Sequence, residues 1–383
     1  MHYIILQKVS GSEKKFMFRL FFMMPVMICI YEIVSMIFPL KISIWLKLLL
    51  SLILFAGIGK MFLYRFTPSG FDIYELPHAL SLILSGIFSF IICAVFMLLL
   101  KDAIFIIWKI FMHSQFPGHY ASLIVLVIAL FSTIYGVYQG VRIPDVVIHD
   151  VKIPGLGKDL DGLKVAMLVD IHASELNRRE FVNAIVEKVN FLEPDLILIP
   201  GDFVDGSVKA RYSDLEPISQ LKAKYGVFGV TGNHEYYFDL QGWLKTIKDF
   251  GVRFLDNEHV EIASGDAKLI IAGVLDPTSG NHNTQLALEG VDENLPVILM
   301  DHQPRFAREN SKFNIALQLS GHTHGGQMPI ISTFIKKANN GFVRGWYDVN
   351  NMKLYVSPGT SQWNGFIIRI FDNSEISLFI LRA

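Results

Sequence analysis

Long apolar runs crowd the first 140 or so positions of this chain and dictate what its N-terminal part can become. Four stretches, at approximately residues 16–38, 43–63, 77–100 and 120–139, are rich in Leu, Ile, Phe and Met. Each is long enough to cross a bilayer, which takes about 20 residues. A cleaved leader does not account for them, because three more runs follow the first. The expectation is an all-α transmembrane bundle of about four spans over residues 1–142. Arg19 opens the first run and can snorkel to the interface, whereas Glu32 lies inside it and should face other helices through an interhelical hydrogen bond. The third run stays apolar past residue 100. As a single helix, residues 77–113 would be about 55 Å long, too long for one upright span and too short for two. We read residues 103–112 as an extension lying at the interface, with Lys101, Asp102 and Lys109 on its wetter side.

After Pro144 the composition becomes that of a soluble domain, and 383 residues leave room for more than one core. The only cysteines, Cys29 and Cys93, lie in the apolar runs, so the soluble part has neither a disulfide framework nor a thiolate metal site. A net charge of -1 advertises no basic face for nucleic acid. Residues 143–160, with breakers Pro144, Pro154, Gly155 and Gly157, read as a linker. Strand patterns at 163–169, 195–200 and 226–231 then alternate with helical ones at 178–192, 213–224 and 239–250. From residue 252 strands predominate, at 252–255, 268–274, 296–300, 316–319, 353–357, 365–371 and 375–381. This order suits an α/β domain over 161–383, with layered sheets and helices outside.

The informative polar residues sit at strand ends. Asp170 and His172 follow the first strand, Asp202 the second, and Asn233 and His234 the third; His302 ends a later strand, and His322 and His324 follow another. Ligands bind at the carboxyl ends of strands in open sheets. Carboxylate, amide and imidazole groups delivered there make an oxygen and nitrogen donor set suited to Mn²⁺, Fe or Zn²⁺ rather than Ca²⁺. In an extended Asp-x-His or His-x-His, both side chains point to one side, since strand side chains alternate. Glycines before Asp202, Asn233 and His322 permit tight exits and close backbone approach. Asp205, Glu235 and Asp301 adjoin these motifs and are read as supporting rather than ligating. Asn281-His282-Asn283 reads as a solvated loop.

The order Asp-x-His, Gly-Asp, Gly-Asn-His-Glu, His and Gly-His-Thr-His-Gly-Gly-Gln resembles the calcineurin-like metallophosphoesterases, notably the bacterial branch of YkuE-like and YaeI-like phosphodiesterases. The resemblance covers about residues 161–381. It implies an αββα sandwich of two packed mixed sheets and two divalent metal ions, Mn²⁺ first among the choices. Asp170, His172, Asp202 and His324 would hold one ion. Asp202, Asn233, His302 and His322 would hold the other, and His234 would assist charge stabilisation or leaving-group protonation. Val169 stands where the family usually has Ser, and Ser357-Pro358-Gly359 where it often has Arg-Gly; Arg369 matches its late strand.

The expected function is a membrane-anchored phosphodiesterase or pyrophosphatase, in which water activated between two ions attacks phosphorus in line. The expected partners are membrane lipids and an amphiphilic, lipid-linked phosphate. The expected location is a bacterial inner membrane with the hydrolase facing the cytoplasm, because Lys8, Lys14, Lys15 and Arg19 flank the first span. A non-catalytic membrane sensor with a metal-binding domain, a transporter with a regulatory domain, and a nuclease or soluble-diester hydrolase are the competing classes.

Overall fold

The computed structural model describes residues 23–63, 76–112, 114–365 and 367–383. The chain divides into two compact units, one built of the N-terminal helices and one beginning at Gln139.

Four helices make the first unit: α1 (Met23–Ile37), α2 (Ile44–Leu63), α3 (His78–Phe111) and α4 (Gly118–Val141). Among the described residues, α3 and α4 have both the length and the apolarity of a bilayer span, while α1 is shorter. Two of the four expected spans therefore stand among the described residues; Arg19 lies outside them. The core of this unit holds Cys29, Met36, Leu54, Ile58, Ile91, Ala94, Leu98 and Ala129. Residues 103–111 are the helical extension expected of the third run, and they are no separate element: α3 runs from His78 to Phe111 without a break, 34 residues in all. Lys101 is also not on a wet face. Its ammonium donates to the Ser35 carbonyl and, at 2.8 Å, to Ser35 Oγ, and it pairs with Asp102 at 3.2 Å. Asp102 in turn accepts from Tyr31 at 2.6 Å. Only Lys109 of the three is exposed. Glu32 does point inward, yet neither carboxylate oxygen has a hydrogen-bond partner, so the interhelical bond expected of it is not made.

The second unit contains two six-stranded mixed sheets. One has the order β1 (Asp145–Lys152), β12 (Glu375–Arg382), β2 (Lys164–Met167), β3 (Leu196–Pro200), β4 (Val227–Val230), β5 (Val252–Phe254). The other runs β10 (Gly345–Val349), β11 (Met352–Val356), β9 (Leu317–Ser320), β8 (Val297–Met300), β7 (Ala267–Gly273), β6 (Glu258–Ser264). Strands β2 to β5 are mutually parallel, as are β7, β8, β9 and β11. Their near-continuous apolar sequences follow from burial on both faces. Val165, Met167, Leu196 and Leu198 of one sheet meet Leu269, Ile271, Ile298 and Leu319 of the other in the central core. The alternate residues Ala166, Ile197 and Ile199 turn outward beneath α5 (Arg179–Phe191) and α8 (Leu240–Asp249), which contribute Val182, Ile185, Trp243 and Ile247. Ile270, Leu299 and Leu354 form the third layer on the far side. Period-two alternation thus sorts each strand between two cores, giving the expected αββα arrangement.

Three local expectations change. The supposed linker 143–160 contains β1, which pairs in parallel with β12 and belongs to the sheet. The helix expected at 213–224 lies earlier, as α6 (Val208–Leu215) followed by a 3₁₀ turn at Glu216–Gln220. The strand expected at 365–371 is absent among the described residues there, which run as loop.

Candidate metal centre

The motif residues leave the carboxyl ends of five parallel strands: Asp170 and His172 after β2, Asp202 after β3, Asn233 and His234 in α7 (Asn233–Tyr237) after β4, His302 after β8, and His322 and His324 after β9. Side-chain alternation along an extended strand is not what aims them. Asp170, His172, Asp202, His322 and His324 all have positive φ, between 44° and 71°. Non-glycine residues rarely occupy that region, and runs of them mark sites where surrounding structure holds the backbone under strain. Strands β2, β3 and β9 therefore lead into left-handed backbone at their motif residues, whereas those after β4 and β8 do not. The glycine expectation holds at Gly201, where φ is 92° and an added Cβ would lie 2.6 Å from Gly232 N and 2.9 Å from His302 Nδ1.

Six of the seven residues expected to bind metal fall into two groups. Asp170, His172 and His324 form one group whose donor atoms lie within 4.8 Å of one another, and Asp202, His302 and His322 form another. His172 Nε2 lies 3.3 Å from His324 Nε2, 3.6 Å from Asp202 Oδ2 and 3.9 Å from Asp170 Oδ1. His302 Nε2 is 3.2 Å from the same Asp202 Oδ2. Asp202 thus reaches both groups. Asn233 adds a buried Oδ1 that has no hydrogen-bond partner.

Do these residues fit a metal? His302 Nδ1 lies 2.8 Å from the Pro200 carbonyl, so it carries the proton, and Nε2 presents a lone pair to a carboxylate. His172 Nδ1 likewise donates to Asp205 at 2.9 Å, turning its Nε2 lone pair toward that of His324. Buried acceptors facing acceptors repel unless a cation lies between them. Two donors each about 2.1 Å from one ion, at roughly a right angle, lie about 3 Å apart, as these do. Burial opposes a charge on His302, but Asp202 above all raises its pKa well beyond the ordinary imidazole range. The field that would hold that proton is one a divalent cation would answer. Burial and neighbouring cations keep His322 and His324 neutral, the form that ligates. The donors fit two ions.

A third group, His172, Asp205 and His234, is a hydrogen-bonded set instead. Asp205 Oδ1 accepts from both His172 Nδ1 and, at 2.5 Å, His234 Nδ1, while its Oδ2 accepts from Asn364 N at 3.0 Å. Burial alone would raise Asp205, but the two imidazoles hold it well below the usual carboxylate range. Burial likewise disfavours a charged His234, yet Asp202 and Asp205 outweigh it and raise the ring to about 9. His234 Nε2 makes no bond closer than 4.0 Å to Asp202 and is left facing the site. Glu235 caps the turn by accepting from the amides of Asp202, Phe203 and Gly232. Asp301 accepts from Asn310 and lies 3.1 Å from His282 Nε2.

Two further side chains support the site, and the sequence offered no signal for the first of them. Asn177 Nδ2 binds the carbonyls of His172 and Gln362 and the Ser361 hydroxyl, tying the first turn to the last loop. Arg369, fully buried, donates to the carbonyls of Pro358, Ser361 and Asp372 and lies 3.4 Å from His324 Nδ1. Its family match is kept, on a loop rather than a strand.

A calcineurin-like phosphoesterase family model matches residues 163–326. An uncharacterized metallophosphoesterase of Campylobacter jejuni is 34% identical, over 68% of this chain and 70% of that protein. The chain belongs to the calcineurin-like metallophosphoesterases. A zebrafish transmembrane protein with a metallophosphoesterase domain is 33% identical over 68% of this chain, and the match spans 62% of its own length. YkuE of Bacillus subtilis, an uncharacterized metallophosphoesterase, is 28% identical over 61% of this chain and 84% of its own. This metallophosphoesterase therefore joins the family's hydrolase fold to apolar helices, and association with a membrane accords with both.

Proposed function

We propose that this metallophosphoesterase is a multi-pass membrane enzyme that hydrolyses a phosphodiester or pyrophosphate bond in an amphiphilic, lipid-linked substrate. The observation that carries the catalytic half is the meeting of two donor groups on one carboxylate, Asp202. Two divalent cations held there, Mn²⁺ in the first instance, would acidify water and neutralise charge on the phosphoryl oxygens. The residues of the chain do the rest. Asp205 orients His172 and keeps His234 protonated, so that His234 Nε2 can give a proton to the departing oxygen. Tyr237 and Trp363 stand at 5.2 and 6.4 Å from the His234 ring, narrowing access for water.

The lipid half rests on the helices. Only residues 142–144 separate α4 from β1, which gives the hydrolase a short tether. More than one span exceeds what a simple anchor needs, and the near-neutral charge disfavours a polyanionic nucleic acid. The positive residues before the first span support a hydrolase on the cytoplasmic side of a bacterial inner membrane.

The test uses the full-length protein in mixed micelles. Metal analysis should give two ions per chain, chelation should abolish turnover of bis(p-nitrophenyl) phosphate, and Mn²⁺ should restore it. For a lipid-linked diphosphate, the rate should follow its mole fraction in the micelle rather than its bulk concentration. Turnover of the soluble diester alone would remove the lipid half of the proposal; activity that survives chelation would remove all of it.

A further inference from the structure

Helix α9 (Pro329–Ala338) follows the His324 turn directly, and its apolar side faces outward. Ile330, Ile331, Phe334 and Ile335 share one side at helical spacing, while Ser332, Thr333, Lys336 and Lys337 take the rest of the circumference. A surface helix with this pattern ordinarily buries its apolar stripe in the core. In α9 no residue is buried: Phe334 is 67% exposed and Ile330 45%.

Phe371 is displayed from the same turn. It is 74% exposed and has a φ of 69°, a region that a bulky residue occupies only when its surroundings hold it there. Ile370 N donates to the Gln327 carbonyl at 2.8 Å, and Arg344 Nη1 donates to the Phe371 carbonyl at 3.2 Å and pairs with Asp372. On the helix side, an added Cβ on Gly326 would lie 2.5 Å from Ser332 Cα, so the first turn of α9 packs directly on the loop that carries His324. Two aromatic side chains are thus held out to solvent by backbone fixed to the metal site.

Charge and connectivity indicate what covers them. Helix α9 has no carboxylate, Lys336 and Lys337 stand exposed in its last turn, and Arg344 is 52% exposed beside the Phe371 carbonyl. Apolar side chains rimmed by cations fit the boundary between acyl chains and anionic headgroups. The chain also enters the hydrolase at the metal end of its sheet. Strand β1 starts at Asp145, opposite Glu375; Glu375 N donates to the Gly359 carbonyl, and an added Cβ on Gly359 would lie 3.0 Å from Asp170 Oδ2. From Val141, where α4 ends, to Asp145 is four residue steps, which reach at most about 14 Å. A bilayer crossed by α4 therefore lies close to that end.

We propose that α9 and Phe371 dock the hydrolase on the anionic surface of a phospholipid bilayer, with Ile330 and Phe334 among the acyl chains and Lys336 and Lys337 at the phosphates. This rests on the reading of α3 and α4 as membrane spans. Docked in this way, the metal centre lies beside the headgroups, and a lipid-linked phosphate reaches it without leaving the bilayer.

Spin-label depth measurements on full-length protein in phosphatidylglycerol nanodiscs test the docking. Native Cys29 and Cys93 are buried, so the label goes to an introduced surface cysteine. In Phe334→Cys the label should sit about 5–10 Å below the headgroups, open to oxygen and shielded from a water-soluble nickel complex. Ile330→Cys, one turn earlier, should read the same. Phe191→Cys, at the exposed end of α5, is the aqueous reference, and Ile128→Cys in α4 is the lipid reference. Changing the lipid to phosphatidylcholine, or combining Lys336→Gln with Lys337→Gln, should lift the label at position 334 toward water; equal depth throughout overturns the anionic surface. An aqueous reading at 334 and 330 with a lipid reading at 128 overturns the docking and leaves the spans intact, whereas aqueous readings at all three overturn the membrane reading as well. Shielding of position 334 from both reagents means that protein covers the face, and dipolar coupling between labels would assign it to a second copy; either result overturns the proposal.

Discussion

The two units of this protein bury charge in opposite ways. In the helical unit, Lys101 supplies a cation from within the chain: it meets Asp102 and Ser35, and Tyr31 completes the set. In the hydrolase unit, Asp170 and Asp202 are as deeply buried, yet among the described ion pairs they face only histidines. The first arrangement is closed. The second is a set of acceptors aimed at one another, and stable burial requires a cation from outside. A polar cluster that satisfies itself holds helices together, whereas one that does not is built to bind.

The most damaging way to break the open cluster is at its shared member. Asp202→Asn should remove both ions and cut turnover by at least roughly 10²–10³-fold, the scale of losing one preorganised electrostatic contact. Two retained metal equivalents in that variant would contradict the shared role. Next comes His234→Ala, expected to lower kcat by about 10²–10⁴-fold with metal content nearly intact. Loss of one ion would instead make His234 a ligand.

Asp205→Asn should cost less, about 10- to 100-fold, as for other groups that orient a metal ligand. It should also move the pH profile. Burial lowers the pKa of His234, and Asp202 and Asp205 raise it to about 9. A proton donor is lost as pH climbs past its pKa, so activity falls on the alkaline side. Bound metal cations pull that limb below 9. Removing the Asp205 charge should shift it lower still, and an alkaline limb indifferent to Asp205→Asn would exclude His234 as the donor.

The closed cluster gives the smallest effects. Lys101→Met should lower the thermal midpoint in detergent, by roughly 1–3 kcal/mol of stability, because it strips partners from Ser35 and Asp102. Glu32→Leu should raise the midpoint slightly, since Glu32 is buried without a partner. Neither should alter metal content, and a change there would show that the two kinds of burial are coupled.

Much of this was legible in the residues, for identifiable reasons. The donors could be named because strand ends in parallel sheets are where ligands bind and the motifs resemble a known family, and the structure groups six of the seven. Their aim could not be read from a two-residue period, because positive φ at Asp170, His172, Asp202, His322 and His324 replaces the strand geometry that period assumes. Strand β1 hid among breakers, and as an edge strand with exposed Asp145 and Ile148 it lacks a buried run to betray it. The helical reading of 213–224 failed because Pro217 and the turn after it end the pattern early. Lys101 and Asp102 were misplaced because a charge next to an apolar run reads as interfacial until its partner, 66 positions away at Ser35, is known.

The parallel pairing of β1 with β12 sets a timetable for the newborn chain. The strand that fills the gap between β1 and β2 arrives last, and Arg382 meets Asp150 across 232 positions of sequence. At synthesis rates of about 5–20 residues per second, that interval is roughly 10–45 s. Throughout it, the backbone edge of β2 that β12 will cover, and Val165 and Met167 beside it, wait for a neighbour not yet made. The apolar helices emerge well before that moment. The leading helices are therefore complete in the growing chain while the trailing sheet still lacks the strand that joins β1 to β2.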